Sequence, residues 1–256
     1  MKNYEEFLNQ GNLPKLCRKN CKDVWNAFMV EDADFSPHDI PLCPTYLPDG
    51  LPQSLISFAE AKTLYNKEIR NGNHDFHNNA FIHFYCDDQH FDGIQNSIWL
   101  FPKKALSIIQ HFKGIITPDF STYSDFPDPI KRNNTYRMRA FGYWCVSMSI
   151  PVINNIRWGT SETWDYCFDG IEKDSVVCIG TVASGLRELE NRFDFDTGFL
   201  KMISILTPKI IIVYGSSNYK SFNQAQEKGI KIITYVSQTN AAYQLKTGGG
   251  KYEQNT

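Results

Sequence analysis

The residues best suited to chemistry in this sequence stand at the ends of short apolar runs. Asp119 follows the run at 114–118, and Asn155 and Arg157 close the run at 151–156. A carboxylate in such a position can orient or deprotonate a water molecule, and an amide can read the polar edge of a planar ligand. We therefore predict Asp119 and Asn155 as catalytic residues.

A second set of side chains suits ligand binding rather than catalysis. Aromatic rings can stack on bases, and arginines can pair with phosphates. If the basic stretch 131–139 is helical, Arg132, Tyr136 and Arg139 share one face. Two alternatives stay open, because serines after strands often only cap the next helix and basic helix faces are often only solvated. The predicted substrate-binding residues are Phe120, Ser121, Tyr136, Arg137, Arg139, Arg157, Trp158 and Ser216.

Several familiar enzyme classes lack their motifs in this chain. There is no GxxxxGK[ST] phosphate loop, no GxGxxG after the first predicted strand and no GxSxG elbow. The spacing of the 7 cysteines fits no zinc knuckle, and we predict neither a metal site nor a cofactor. All 6 histidines precede residue 112, so the second half has no histidine to act as a general base.

The elements that must position these residues follow from the pattern of apolar runs. Short β-branched runs joined by helical segments predict an α/β fold with a mainly parallel sheet of about five or six strands flanked by helices. The carboxyl ends of parallel strands share one edge of the sheet, where side chains distant in sequence converge. Strands are predicted at 81–86, 114–118, 151–156, 176–181, 210–214 and 231–236, and helices at about 54–70, 103–112, 130–149, 188–206 and 219–228.

Composition divides the chain into three predicted segments. Residues 1–78 read as an irregular, proline-punctuated N-terminal extension packing on the core, 79–240 as the α/β domain and 241–256 as a flexible tail. A net charge of −2 excludes a uniformly basic coat for nucleic acid, although not a local patch. No run approaches the ~20 apolar residues of a membrane span, and the irregular cysteines predict a reduced, cytoplasmic protein.

Five motifs between about residues 80 and 215 carry a resemblance to a known family. They are TPDFS at Thr117–Ser121, the basic run Asn134–Arg139, the aromatic Gly142–Trp144, the strand Ile150–Trp158 and the run Cys167–Ser175. The chain resembles an uncharacterised family, a domain of unknown function, that is common in bacteriophages and integrated mobile elements. It departs from the family pattern at Arg157, where a small polar residue is expected. The resemblance implies a mobile-element or defence context and brings no established chemistry.

The order of segments also shows a looser similarity to uracil-DNA-glycosylase-like enzymes. Those enzymes place an acidic loop after the first sheet strand, then a helix, then a strand ending in asparagine. The corresponding segments here are 114–119, 130–149 and 151–155. The chain departs by having its proline before Asp119 and by lacking the closing histidine motif.

These observations lead us to expect an enzyme acting on DNA, ordinary or base-modified, and most concretely a base-excising hydrolase. Asp119 would act on water or the sugar, Asn155 would read the base, and Phe120 or Trp158 would stack on it. The flanking phosphates would be held by Arg137 and Arg139. One alternative is a metal-dependent nuclease that uses Asp87, Asp88 and Asp119 with magnesium. The other is a non-catalytic protein that binds a host or phage component through residues 1–78.

Overall fold

The structure is a computed structural model that describes Asp23 and residues 25–182, 185–186 and 188–237. The predicted tail at 241–256 lies outside the described residues, as does Ser184, which follows a predicted strand.

The described residues form one sheet of seven parallel strands. The strands lie side by side in the order in which they occur along the chain, so every connection returns to the neighbouring position. Their bounds are β1 Leu55–Ser57, β2 Asn78–His83, β3 Phe112–Ile116, β4 Val152–Asn155, β5 Val176–Gly180, β6 Ile210–Tyr214 and β7 Lys231–Tyr235.

The described residues also form five α-helices in the connections between strands. α1 begins with a capping box, in which Ser57 accepts from the Glu60 backbone N–H and the Glu60 carboxylate accepts from that of Ser57. Prolines lie in the first turns of α2 and α3, where a missing N–H costs no helix bond. The bounds are α1 Phe58–Arg70, α2 Pro102–Ile109, α3 Asp128–Ser147, α4 Leu189–Leu206 and α5 Lys220–Glu227.

The two faces of the sheet bury different sets of side chains. All five helices pack on one face, in two apolar clusters: one includes Phe58, Ile109 and Phe141, and the other includes Phe199 and Phe222. The opposite, inner face receives one apolar side chain or more from every strand. These are Leu55, Phe81, Ile116, Ile153, Cys178, Ile212 and Tyr235, among others.

The sheet curls around this inner cluster. The Tyr235 hydroxyl in β7 donates to the carbonyl of Pro52, just before β1, so the two edges approach each other without pairing. Consecutive parallel order, helices on one face and a filled interior are also the features of (β/α) barrels, whose sites form at the carboxyl ends of the strands. The carboxyl ends of the seven strands therefore lie on one rim.

The predicted fold class is confirmed, with one strand more than expected. The additional strand is β1, and it pairs with β2 inside the range 1–78 that was predicted to be irregular. A three-residue strand leaves too short an apolar run to be recognised from sequence alone. The order of the strands also differs from that of open doubly wound sheets, since it never reverses.

Within the described part of the chain, no helix combines the length and the apolar character needed to cross a membrane.

Candidate functional site

A pocket of about 280 Å³ lies at the carboxyl ends of β4 and β5, beside the loop that follows β3. The β3 loop contributes Asp119 and Tyr123, and the chain leaving β4 contributes Arg157 and Trp158. Small-molecule sites span roughly 300–1,000 Å³. This pocket therefore has room for a small molecule or for one group of a larger one.

The carboxylate of Asp119 is held at the pocket by two donors. Asn155 Nδ2 donates to Oδ1 over 2.8 Å, and Arg157 Nη1 donates to Oδ2 over 2.6 Å. Burial alone would lower the pKa of Arg157, but Asp119, Tyr123 and Asp88 outweigh it and the pKa is raised. Because a carboxylate offers about four lone-pair directions, two remain for a water molecule or a ligand.

The amide of Asn155 is itself held in one orientation. The Tyr85 hydroxyl donates to Asn155 Oδ1 over 2.9 Å, and the Asn155 backbone N–H donates to Thr117 Oγ1 over 2.8 Å. Burial is the main cause that raises the pKa of Tyr85 well above its usual value, so this hydroxyl keeps its proton. A continuous chain of hydrogen bonds thus connects Tyr85, two residues after the end of β2, through Asn155 and Asp119 to Arg157.

A second carboxyl group lies close to this network. Burial, and then the charge of Asp119, raise the pKa of Asp88, and the nearby Ser121 opposes this shift. Asp87 instead caps a short 3-10 helix by accepting from the Gln89 N–H over 3.0 Å. Among the described residues, no three histidine, cysteine or acidic side chains are placed to share a metal ion.

Of the two rings expected to stack on a base, Trp158 lies in the pocket wall and Phe120 does not. The Trp158 ring packs beside Phe195 at 5.3 Å, and its Nε1 donates to the carbonyl of Asp194. Phe120 is fully buried, with the guanidinium of Arg137 at 3.8 Å from its ring centre. The TPDFS loop directs its acid to the pocket and its aromatic ring to the core.

The two arginines expected to hold phosphates are turned into the protein. Arg139 is fully buried and donates to the backbone carbonyls of Asp169, Asn155 and Cys167 over 3.0–3.3 Å. Burial lowers its pKa to about 10, which still leaves it charged at neutral pH. Arg137 donates to Asp92 and to the side chain of Asn134. Neither arginine lines the pocket.

The remaining predicted residues do not line the pocket. Tyr136 lies between Trp25 and Trp99, with ring centres 6.3 and 6.4 Å away. Ser121 is buried, and its carbonyl accepts from Asn134. Ser216 follows β6 and binds Thr181 through its backbone N–H and carbonyl. The pocket thus brings together Asp119, Arg157 and Trp158, with Asn155 one hydrogen bond behind them.

Several residues of the pocket wall were not predicted from the sequence. Tyr123 follows Asp119 in the same polar loop, so the loop itself was a usable signal. The first turns of α4 add Asn191, Asp194 and Phe195. The clue there was positional, because α4 follows a strand whose carboxyl end adjoins that of β4.

Comparison with known proteins gives a family but no activity. A family model described as "Domain of unknown function (DUF4417)" matches residues 34–237. The chain is 30% identical over 138 residues to the "Gene 1 protein" of Mycobacterium phage D29 and equally to that of Mycobacterium phage L5. The matched region covers 54% of this chain but only 49% and 58% of the two relatives. No solved structure matches the chain.

Proposed function

We propose that this chain, which belongs to the DUF4417 family of domains of unknown function, is a hydrolase that releases a base from DNA. The observation that carries the proposal is the Asp119 carboxylate, which two donors hold at the rim of a small pocket. The similarity to phage proteins supports a phage or mobile-element context.

An acid without a histidine partner suits the cleavage of a glycosidic bond. None of the pocket-lining residues is a histidine. In a dissociative cleavage positive charge develops on the sugar, and a fixed carboxylate stabilises that charge and orients the attacking water. Asp119 has two unused lone-pair directions for this work, and Asn155, which Tyr85 orients, holds the carboxylate in place.

The pocket wall suits a flat polar group such as a base. Tyr123, Trp158 and Phe195 supply aromatic surface, while Asn191 and Thr160 supply hydrogen-bonding groups. Enzymes that act on a base of DNA rotate it out of the helix into a pocket of this kind. In this proposal Asn155 positions Asp119, because its amide is already engaged by Asp119 and Tyr85.

The direct test is incubation of the purified protein with oligonucleotides that carry ordinary and modified bases. Mass spectrometry would detect released bases, and alkaline cleavage would detect abasic sites. Asp119→Asn keeps the size of the side chain and an acceptor for Asn155 but removes the charge. We expect it to lower the rate of base release by about 10²-fold or more.

Arg132→Gln is a matched control, since Arg132 is half-exposed on α3 and does not line the pocket. It should leave the rate of base release unchanged. Base release that survives Asp119→Asn at the wild-type rate would contradict the role of Asp119. A failure to release any base from the whole substrate panel would contradict the proposed activity.

A non-catalytic role in binding a host or phage protein is the second candidate, and one observation favours it. Four large apolar side chains between residues 25 and 42 are each about 40% exposed, namely Trp25, Phe28, Phe35 and Leu42. Deleting the first 78 residues is not a clean test, because Met29, Val30 and Cys43 are core residues. Phe35→Ser with Leu42→Ser leaves that core intact. Loss of partner capture by this double variant, with Asp119→Asn still binding, would support the second candidate.

A further inference from the structure

Arg157 has unused hydrogen-bonding capacity that faces the pocket. Its Nη1 donates to Asp119, while Nε and Nη2 donate to none of the described residues. Neither nitrogen is buried without a hydrogen-bond partner, so both are exposed. Nε of Arg137, in contrast, is buried and has no partner among the described residues. The side chain of Arg157 is 28% exposed and lines the pocket. Its free N–H groups are therefore accessible from the pocket.

A second group in the pocket wall also lacks a partner. Thr122 is 5% exposed and lines the pocket, and its hydroxyl is buried without a hydrogen bond among the described residues. An unsatisfied buried hydroxyl costs about 1–3 kcal/mol. A turn of the Thr122 side chain towards the pocket would let a ligand oxygen satisfy this hydroxyl, and the same oxygen chemistry suits a guanidinium.

We infer that the pocket binds a phosphate group of its ligand through Arg157 and Thr122, and that this phosphate displaces Asp119 from Arg157. The inference rests on the proposed function and specifies its substrate, namely a nucleotide unit whose phosphate enters the pocket beside the base. A guanidinium matches a phosphate with two parallel hydrogen bonds, which is more than the single contact it makes to Asp119. The phosphate-holding role thus belongs to Arg157, in place of Arg137 and Arg139.

The exchange has a consequence for the chemistry at Asp119. In the structure the carboxylate is paired with the Arg157 cation, which weakens it as an acceptor. Once the phosphate takes Arg157, Oδ2 of Asp119 is released, while Asn155 still holds Oδ1. Ligand binding thereby frees the carboxylate next to the sugar that it would act on.

Binding measurements separate this inference from the proposed activity. The probes are the four deoxynucleoside 5′-monophosphates and the four unphosphorylated deoxynucleosides, titrated by calorimetry into the full-length protein. We expect at least one monophosphate to bind about tenfold more tightly than its nucleoside. Arg157→Gln should abolish that difference, and Arg157→Lys should restore it only in part, because an ammonium lacks the planar fork.

Asp119→Asn supplies a test with the opposite sign. The introduced amide has one oxygen, so it cannot accept from both Arg157 and Asn155. With its oxygen towards Asn155, its NH2 group faces the guanidinium of Arg157 and the hydrogen bond between them is lost. We expect the monophosphate to bind about fivefold more tightly to this variant than to the wild type. Thr122→Val, of nearly equal volume, should weaken binding by about fivefold. Arg132→Gln again serves as the control and should bind like the wild type.

The possible results distinguish the phosphate site, the exchange at Arg157 and the proposed activity. Equal affinity for nucleoside and monophosphate, or a difference that persists in Arg157→Gln, would overturn the phosphate site. Weaker monophosphate binding by Asp119→Asn would overturn the exchange. Phosphate-dependent binding without any base release supports this inference and contradicts only the proposed activity. Base release with no dependence on Arg157 contradicts only this inference. Thermal unfolding of every variant confirms that it is folded.

Discussion

The pocket and the basic stretch of α3 each contain an arginine, but the two arginines differ in exposure and in the number of hydrogen bonds that they make. In the pocket, Arg157 makes one hydrogen bond and keeps donors accessible. On α3, Arg139 makes three hydrogen bonds to backbone carbonyls and is fully buried. The first arginine has capacity left for a ligand, whereas the second uses its donors on backbone carbonyls of the fold. Residue type alone does not separate the two roles.

The largest expected effect comes from exchanging each arginine for methionine. Arg139→Met should lower the free energy of unfolding by about 3–5 kcal/mol, because three backbone carbonyls, two of them in fully buried contacts, lose this donor. Arg157→Met should lower it by about 1 kcal/mol, since its one ion pair is partly exposed. Urea denaturation at neutral pH measures both values. Equal losses would remove the distinction between the two arginines.

A change of pH tests a buried histidine away from the pocket lining, His83. His83 is 2% exposed, and burial, opposed weakly by Glu60, lowers its pKa to about 4. The unfolded chain takes up a proton near pH 6.5, so the stability from neutral His83 is complete above that pH and is lost as pH falls towards 4. The loss should reach about 3 kcal/mol.

His83→Phe is the matched variant for that measurement. It keeps an aromatic ring beside Tyr85 and Tyr214 but has no titrating nitrogen. Urea denaturation at pH 7.5, 5.5 and 4.5 should show a smaller decline in this variant than in the wild type. Parallel declines would show that His83 does not titrate in this range.

A smaller effect than that of His83 is expected from the pocket wall. A Cβ at Gly198 would overlap the Trp158 ring, so Gly198→Ala must displace the ring. We expect a loss of about 1–2 kcal/mol in stability and weaker nucleotide binding, because overpacking is only partly offset by the helix propensity of alanine. Ser204→Ala, on an exposed position of the same helix, is the control for both measurements. Unchanged nucleotide binding by Gly198→Ala would separate Trp158 from the ligand site.

Most elements of the fold were predictable because their apolar runs are long enough to carry a period. Helix 130–149 was expected and α3 spans Asp128–Ser147, and strand 210–214 was expected and found unchanged. β1 was missed because three residues carry no period. The consecutive order of the strands was not predictable either, since a crossover has the same sequence pattern wherever the next strand pairs.

For the candidate site, the sequence predicted the end of the sheet where it lies but not which side chains face the pocket. Asp119 and Arg157 were found because each follows an apolar strand, and the parallel sheet places both at one end. Which way the next side chains turn was not predictable. The side chains of Phe120 and Arg139 lie in the interior because they contact residues more than 15 positions away in the sequence, such as Phe91 and Asp169.

By itself, the sequence determined the α/β class, the family and the end of the sheet where polar residues gather. Local periodicity and short motifs are sufficient for those conclusions, because they depend on neighbouring residues. Only the tertiary structure decided which polar groups are already paired. Pairing depends on atoms brought together from distant segments, as when Tyr85, Asp119, Asn155 and Arg157 join in one chain of hydrogen bonds. What remains unpaired in the pocket wall, at Arg157 and Thr122, points to its ligand.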